Sequence, residues 1–267
     1  MLPNFDISDK KTCNSNFFYL VSIAYDGSSF SGWAFQPGIF TVQGFIEKTL
    51  STVFQSKISI LSSSRTDKGV HAVDQKFTFK LDIDFSAMKL KKILVKSLKT
   101  FVEVKTVKKV KNNFHPIYDV VLKEYRYFIN TGNYNIFLKN YCWNFNQLIT
   151  TSKIKKIFSI FEGNHNFFNF SYCRERNKKI KETVRKIDKI SIFKKDDFIV
   201  VRILAKGFLR YQIRAIVGEC VSFYQSNKDL DRLKTMLLGD VTDKYKKIAP
   251  SSGLYLWKIK FRRVNFN

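Results

Sequence analysis

Phe17-Phe18-Tyr19-Leu20-Val21-Ser22-Ile23-Ala24-Tyr25 is an apolar run closed by the turn sequence Asp26-Gly27-Ser28-Ser29, and it reads as a β-strand. Downstream, Thr41 caps a helix in which Val42, Phe45, Ile46, Leu50, Val53 and Phe54 recur at spacings of three and four, forming one apolar face. Two strands follow, around Lys57 to Leu61 and Gln75 to Ile83. In the second, Phe77, Phe79, Leu81 and Ile83 alternate with mostly polar partners. Ser86 opens a second helix through Met88, Leu90, Ile93, Leu94 and Leu98, and Phe101 to Val110 reads as a further strand. The order is β-α-β-β-α-β.

The rest of the chain repeats it. A strand from Tyr118 to Ile129 precedes a helix near Ser152 to Phe161, which Gly163 can end. Thr183 to Phe193 and Phe198 to Ala205 form a hairpin across the turn Lys194-Lys195-Asp196-Asp197. Helices from Leu209 to Tyr224 and Leu230 to Leu238 come next, and Gly253 to Phe261 supplies the last strand. The expectation is an α+β fold of two ferredoxin-like halves, residues 17–112 and 113–267, with antiparallel sheets side by side and helices on one face. Residues 1–16 are polar and expected to be poorly ordered. The exposed sheet faces are where such a fold can offer aromatic and basic groups to RNA.

Composition narrows the partner. Lys and Arg number 47 against 22 Asp and Glu, a formal charge of +25, which calls for an anionic partner such as RNA. Cys13, Cys142, Cys173 and Cys220 form no CxxC pair, and His71, His115 and His165 are isolated, so no metal site is expected. Scattered cysteines suit a reducing compartment. No run of 18 apolar residues exists, and Met1 to Asn16 lacks an apolar signal segment, so a soluble intracellular protein is expected.

Three short stretches could carry chemistry. The loop Ser62-Ser63-Ser64-Arg65-Thr66-Asp67-Lys68-Gly69-Val70-His71 joins two strands. Thr-Asp-Lys-Gly alone is a good structural turn, but Asp67 also lies between Arg65 and Lys68, whose charges would favour its ionised form. Such a carboxylate could serve as nucleophile or general base. Arg210 and Arg214, four apart in the first turns of a helix, repel each other and oppose the helix dipole unless a carboxylate or phosphate faces them. In Lys123-Glu124-Tyr125-Arg126-Tyr127-Phe128, Tyr125 and Tyr127 share one face and Arg126 takes the other. Tyr125 could stack on an unpaired base, whereas packing suits Tyr127. His71 and His115 lack an obvious partner and read as structural.

Set in order, these motifs resemble the tRNA pseudouridine synthase A family over roughly Phe18 to Arg262. Tyr25-Asp26-Gly27 with Phe30-Ser31-Gly32-Trp33 is similar to the family's N-terminal signature, and Arg65-Thr66-Asp67 with Gly69-Val70-His71 to its catalytic loop. Phe114-His115 with Tyr125-Arg126-Tyr127 resembles its central element. Phe208-Leu209-Arg210 with Gln212, Arg214 and Ile216-Val217-Gly218 resembles its late helix, and Ala249-Pro250 with Gly253-Leu254-Tyr255-Leu256 its closing strand.

The resemblance implies that Asp67 is the catalytic Asp, Tyr125 lies against the target uracil, Arg214 pairs with Asp67, Leu254 lines the pocket and Arg65 is a basic residue of the same loop. Arg210 is expected to bind RNA. It further implies a homodimer in the cytoplasm that isomerises uridines at positions 38, 39 and 40 of tRNA, without cofactor, DNA or membrane. Ser64 and Lys68 stand where the family usually has Gly and Ala, Tyr211 and Ala215 replace a His and an Asn, and Arg174 to Lys181 lacks a Ser-Arg-Thr element. These departures bear on substrate breadth and rate more than on reaction type. A non-catalytic RNA-binding protein with two sheet modules would explain charge, fold and aromatics equally well. It would not explain an Asp between basic groups, where phosphate repels it.

Overall fold

The computed structural model describes residues 16–172, 183–226, 230–238, 245 and 247–262. Cys13, Cys173, the segment 174–181 and all but residue 16 of the polar N-terminal stretch lie outside them. The described chain is α+β, with one mixed, largely antiparallel sheet of ten strands and five α-helices. In chain order the elements are β1 (Phe17–Tyr25), α1 (Val42–Phe54), β2 (Leu61–Ser62), β3 (His71–Leu81), α2 (Ala87–Leu98), β4 (Val102–Val110) and β5 (Val120–Asn130). There follow β6 (Trp143–Asn144), α3 (Thr151–Ser159), β7 (Gly163–Asn166), β8 (Val184–Lys195), β9 (Phe198–Ala205), α4 (Gln212–Ser226), α5 (Asp231–Leu238) and β10 (Leu254–Phe261).

The sheet runs β4-β1-β3-β10-β5-β9-β8-β7, with β2 paired to β3 and β6 to β5. The first half is thus ordered β4-β1-β3-β2 and the second β10-β5-β9-β8, the same permutation of four strands in each. The halves do more than lie side by side. β10 runs parallel to β3, with Tyr255 opposite His71 and Leu256 opposite Ala72, so the two sheets are joined strand to strand.

Alternation along each strand divides the two faces. Tyr19, Val21 and Ile23 on β1 oppose Phe79, Phe77 and Gln75 on β3, and all are buried on the face that carries α1 and α2. Tyr125, Tyr127 and Ile129 continue that face in the second half against Ile203, Val201 and Ile199. The helices are capped where the sequence predicts: Thr41 Oγ1 accepts from Gly44 N and Ser86 Oγ from Lys89 N, both at 3.3 Å.

Three local expectations fail for physical reasons. The strand expected over Lys57 to Leu61 shrinks to β2, because Ile58 N donates to Ser51 Oγ and Ile60 N to Glu47 Oε1 on α1, both at 3.0 Å. Those donors are no longer free to pair with a neighbouring strand. Met88, expected in an apolar stripe, is exposed. Arg210 does not lie on a helix: α4 begins at Gln212, and Tyr211 has φ +64°, outside helical space.

Candidate active site

A cleft of about 910 Å³ opens on the helical face, between the β2–β3 loop of the first half and the approach to α4 in the second. Asp67, Tyr125, Arg214, Arg65, Leu254 and Arg210 all line it. The six residues singled out in the sequence, spread over almost 190 positions, are brought together.

The loop is held from several sides. Ser63 N donates to Lys76 O at 2.8 Å, and the wholly buried Gln75 sends its amide NH to Ser64 O at 2.8 Å. Trp33 N donates to Thr66 O at 3.0 Å, and the Tyr25 hydroxyl shares a 2.8 Å hydrogen bond with Thr66 Oγ1. Val70 N closes the turn onto Asp67 O at 3.1 Å, with Gly69 at φ +77°, a value that favours glycine. Close approach explains a second glycine: a Cβ on Gly27 would meet Val70 O at 2.1 Å. The turn after β1 and the β2–β3 loop can therefore touch only because residue 27 has no side chain.

The Asp67 carboxylate takes no hydrogen bond from its own turn; its described partner is Arg214, with Oδ2 3.7 Å from Nη1. Arg214 is itself anchored, its Nε donating to Ala249 O at 2.8 Å while Ala249 N donates to Arg214 O at 3.0 Å. The charges felt by Asp67 are not those expected from sequence neighbours. Arg65 and Lys68 are exposed, and the opposing cations are Arg214 and Arg210. Burial outweighs them, so the carboxyl pKa is raised from 3.8 rather than lowered. Arg210 and Arg214 flank the Tyr211 ring at 5.0 and 5.4 Å, and Arg210 also lies 4.8 Å over Tyr172.

Tyr125 is not on an open sheet face, as a stacking platform would first suggest. It is 6% exposed and packs edge-on to Phe208 at 5.3 Å. Its hydroxyl shares a 3.0 Å hydrogen bond with Ser64 Oγ. Burial pushes its pKa up to about 12, helped by the Asp67 charge and opposed by the Ser64 bond, so the phenol stays protonated at neutral pH. Tyr127 is a packing residue, its hydroxyl donating to Pro250 O at 2.7 Å. Leu254, opposite Tyr127 on β10, presents an apolar wall.

Both doubtful histidines are structural, and both have partners. His71 Nδ1 accepts from Gly27 N at 3.0 Å, Nε2 lies 2.8 Å from Asn140 O, and the ring stacks on Tyr255 at 4.5 Å. Burial lowers its pKa against the pull of Asn140 and Asp26, in keeping with a neutral ring that ties the halves together. His115 Nδ1 accepts from Ile117 N at 3.2 Å and Tyr118 N at 3.3 Å, closing a turn. Sequence reasoning missed Ser64 as the partner of Tyr125, Gln75 as the brace of the loop, and Lys123, which also lines the cleft. A polar residue at a core position of an alternating strand was the available signal for Gln75.

Among the described residues no cluster of His, Cys, Asp or Glu could hold a metal ion, and no helix is long and apolar enough to cross a membrane. Residues 157–262 match the family model for tRNA pseudouridine synthase. Over 246 residues the chain is 37% identical to tRNA pseudouridine synthase A of Malacoplasma penetrans, covering 90% of this chain and 98% of the relative. The protein of the same name from Mesoplasma florum is 37% identical over 253 residues, covering 92% and 99%, and that from Ureaplasma parvum 34% over 245 residues, covering 91% and 99%. Likeness of that extent, over nine-tenths of the chain and nearly the whole of each relative, shows that the chain belongs to the tRNA pseudouridine synthase A family.

Proposed function

We propose that the cleft is where a uridine of folded tRNA is isomerised to pseudouridine, with Asp67 as the catalytic carboxylate. One observation carries the assignment: among the described residues lining the cleft Asp67 is the sole carboxylate, amid Arg65, Lys68, Lys123, Arg210 and Arg214. A surface that only gripped RNA would gain nothing from an acid there, since phosphate repels it and burial raises its cost. A reaction needs one.

The chemistry breaks N1–C1′, turns the uracil and rejoins it through C5. C5 gives up its proton and N1, freed from C1′, gains one, so the product is an isomer, no electrons or groups leave and no cofactor is called for. The base must first leave its stack, which costs a few kcal/mol. Tyr125 offsets part of that as an uncharged aromatic wall. Leu254 closes the apolar side, and Arg214 orients the Asp67 carboxylate. Arg65 and Arg210, at the rim, meet the RNA backbone.

The substrate we assign is the anticodon stem-loop, at positions 38, 39 and 40, and the working form is a homodimer in the cytoplasm. Buried free thiols at Cys142 and Cys220 suit that reducing setting. The repeated strand order supports reading residues 17–112 and 113–267 as two ferredoxin-like units. The test is incubation of unmodified tRNA with wild type and Asp67→Asn, followed by mapping of pseudouridine. Product at 38–40 from wild type alone is expected. Equal product from both proteins would remove Asp67 from the chemistry.

A further inference from the structure

Lys123 stands apart from the other four cations among the described residues of the cleft. Arg214 has Asp67 and Ala249 O, Arg210 has the rings of Tyr172 and Tyr211, and Arg65 and Lys68 are exposed. Lys123 is partly buried on β5, and its cross-strand neighbours are Ala205 and Ile259, both buried and apolar. Ile117 and Phe208 add apolar surface from the cleft side. Among the described residues no carboxylate or carbonyl offsets the charge, and burial alone pulls the ammonium down to about 8. An uncompensated cation held in such a place costs stability until an anion arrives.

Position says which anion. Lys123 and Tyr125 are two residues apart on one strand and share its face, so their side chains are spaced by roughly 6.8 Å. Arg214 already faces the Asp67 carboxyl at 3.7 Å, with Arg210 adding to its field, so the Lys123 ammonium is left for a different anion. We infer that Lys123 holds one of the two backbone phosphates flanking the target uridine, while Tyr125, one step along the strand, faces the base. This rests on the cleft being the uridine site. β5 then fixes both ends of the flipped nucleotide from a single rigid element, and the lysine sets which nucleotide is drawn in.

The test uses tRNA in which either phosphate flanking the converted uridine is replaced by a neutral methylphosphonate. Lys123→Gln should weaken binding of unmodified-backbone tRNA tenfold or more and lower the slope of log affinity against log salt by about one. One of the two methylphosphonates should weaken wild type by a similar factor yet leave Lys123→Gln unchanged, and Lys123→Arg should keep most affinity. Equal losses for wild type and Lys123→Gln with both methylphosphonates would overturn the inference. So would Lys123→Gln binding as wild type with a slower bound-state rate, which would put the lysine on the base. Removing an uncompensated charge should leave the melting temperature no lower; Lys123→Met, closer in shape, repeats the cycle should Gln destabilise. Pseudouridine formation by wild type in the same samples reports on the cleft itself: no product sinks that reading, while product with additive losses sinks the phosphate contact alone.

Discussion

Glu124 and Asp67 are both carboxylates that face arginines, on opposite faces of the same sheet, and they fare in opposite ways. Glu124 is 4% exposed and meets Arg126 at 2.8 Å and Arg202 at 2.9 to 3.0 Å. Arg126 lies in turn 3.9 Å over the Trp257 ring. Burial would raise the Glu124 pKa, but the hydrogen bonds from Arg202 and Arg126 outweigh it and hold the value below 4.5. Asp67 has a single looser contact of 3.7 Å, and there burial prevails. A closely paired ion cluster braces a fold; a loosely paired acid in an open cleft is available for a substrate. Contact with arginine does not separate the two roles. What differs is how closely each carboxyl is paired, at 2.8 to 3.0 Å for Glu124 and 3.7 Å for Asp67.

Substitutions at four positions can break or sharpen that contrast. Asp67→Asn should lower the single-turnover rate by about a thousandfold or more, since an amide is a poor nucleophile and base. Its stability at neutral pH should hold or rise. A carboxyl whose folded pKa is raised contributes stability that is full below the unfolded value near 3.8 and lost as pH climbs through the folded one. Wild type and variant should therefore converge in thermal melts below that range. A loss of rate matched by a loss of folded fraction would instead make Asp67 a turn residue.

Tyr125→Ala should lose about 1–3 kcal/mol of base stacking, read as a tenfold to hundredfold drop in rate per folded molecule, while Tyr125→Phe keeps most activity. Undiminished activity in the alanine variant would place the base elsewhere. Glu124→Gln should act on stability alone, by about 2 kcal/mol, with unchanged rate per folded molecule. Its sign with pH is the reverse of Asp67: the wild-type advantage is full above about 4.5 and fades as pH falls through the depressed value. A denaturant titration across pH 3 to 7 reads it. An active-site effect of Glu124→Gln would erase the distinction between the two faces. The smallest change is expected from Ser64→Gly, which removes the Tyr125 hydroxyl's partner for about 1 kcal/mol or less, visible as a modest change in rate. No change would mean that Ser64 tunes nothing.

How much of this was legible depends on the range of the interaction. The helix caps at Thr41 and Ser86, the alternation through Phe77 and Phe79, and the turn at Gly69 are local, and the sequence declares them. The meeting of Asp67, Tyr125 and Arg214 was legible through motifs in a fixed order rather than through physics. What local pattern could not show was environment. Arg65 and Lys68 adjoin Asp67 in the chain, yet Arg214 and Arg210 set its field. Tyr211 carries a positive φ that periodicity does not see, so Arg210 was drawn onto a helix it precedes. Glu124 and Lys123 are neighbours in a strand of mixed polarity. Only the folded molecule shows that one is surrounded by arginines and the other, among the described residues, has no opposite charge beside it.

The parallel junction of β10 with β3 has a consequence in time. β10 is the last described strand to leave the ribosome, yet its place is at the centre of the sheet, between β3 and β5. Until it inserts, β3 and β5 each carry an edge that only the two-residue strands β2 and β6 partly cover, and Leu254 is missing from the cleft wall. Each nascent molecule therefore passes through an interval in which two largely uncovered edges are exposed and the cleft is unfinished. Completion of the sheet and completion of the cleft wall are the same event.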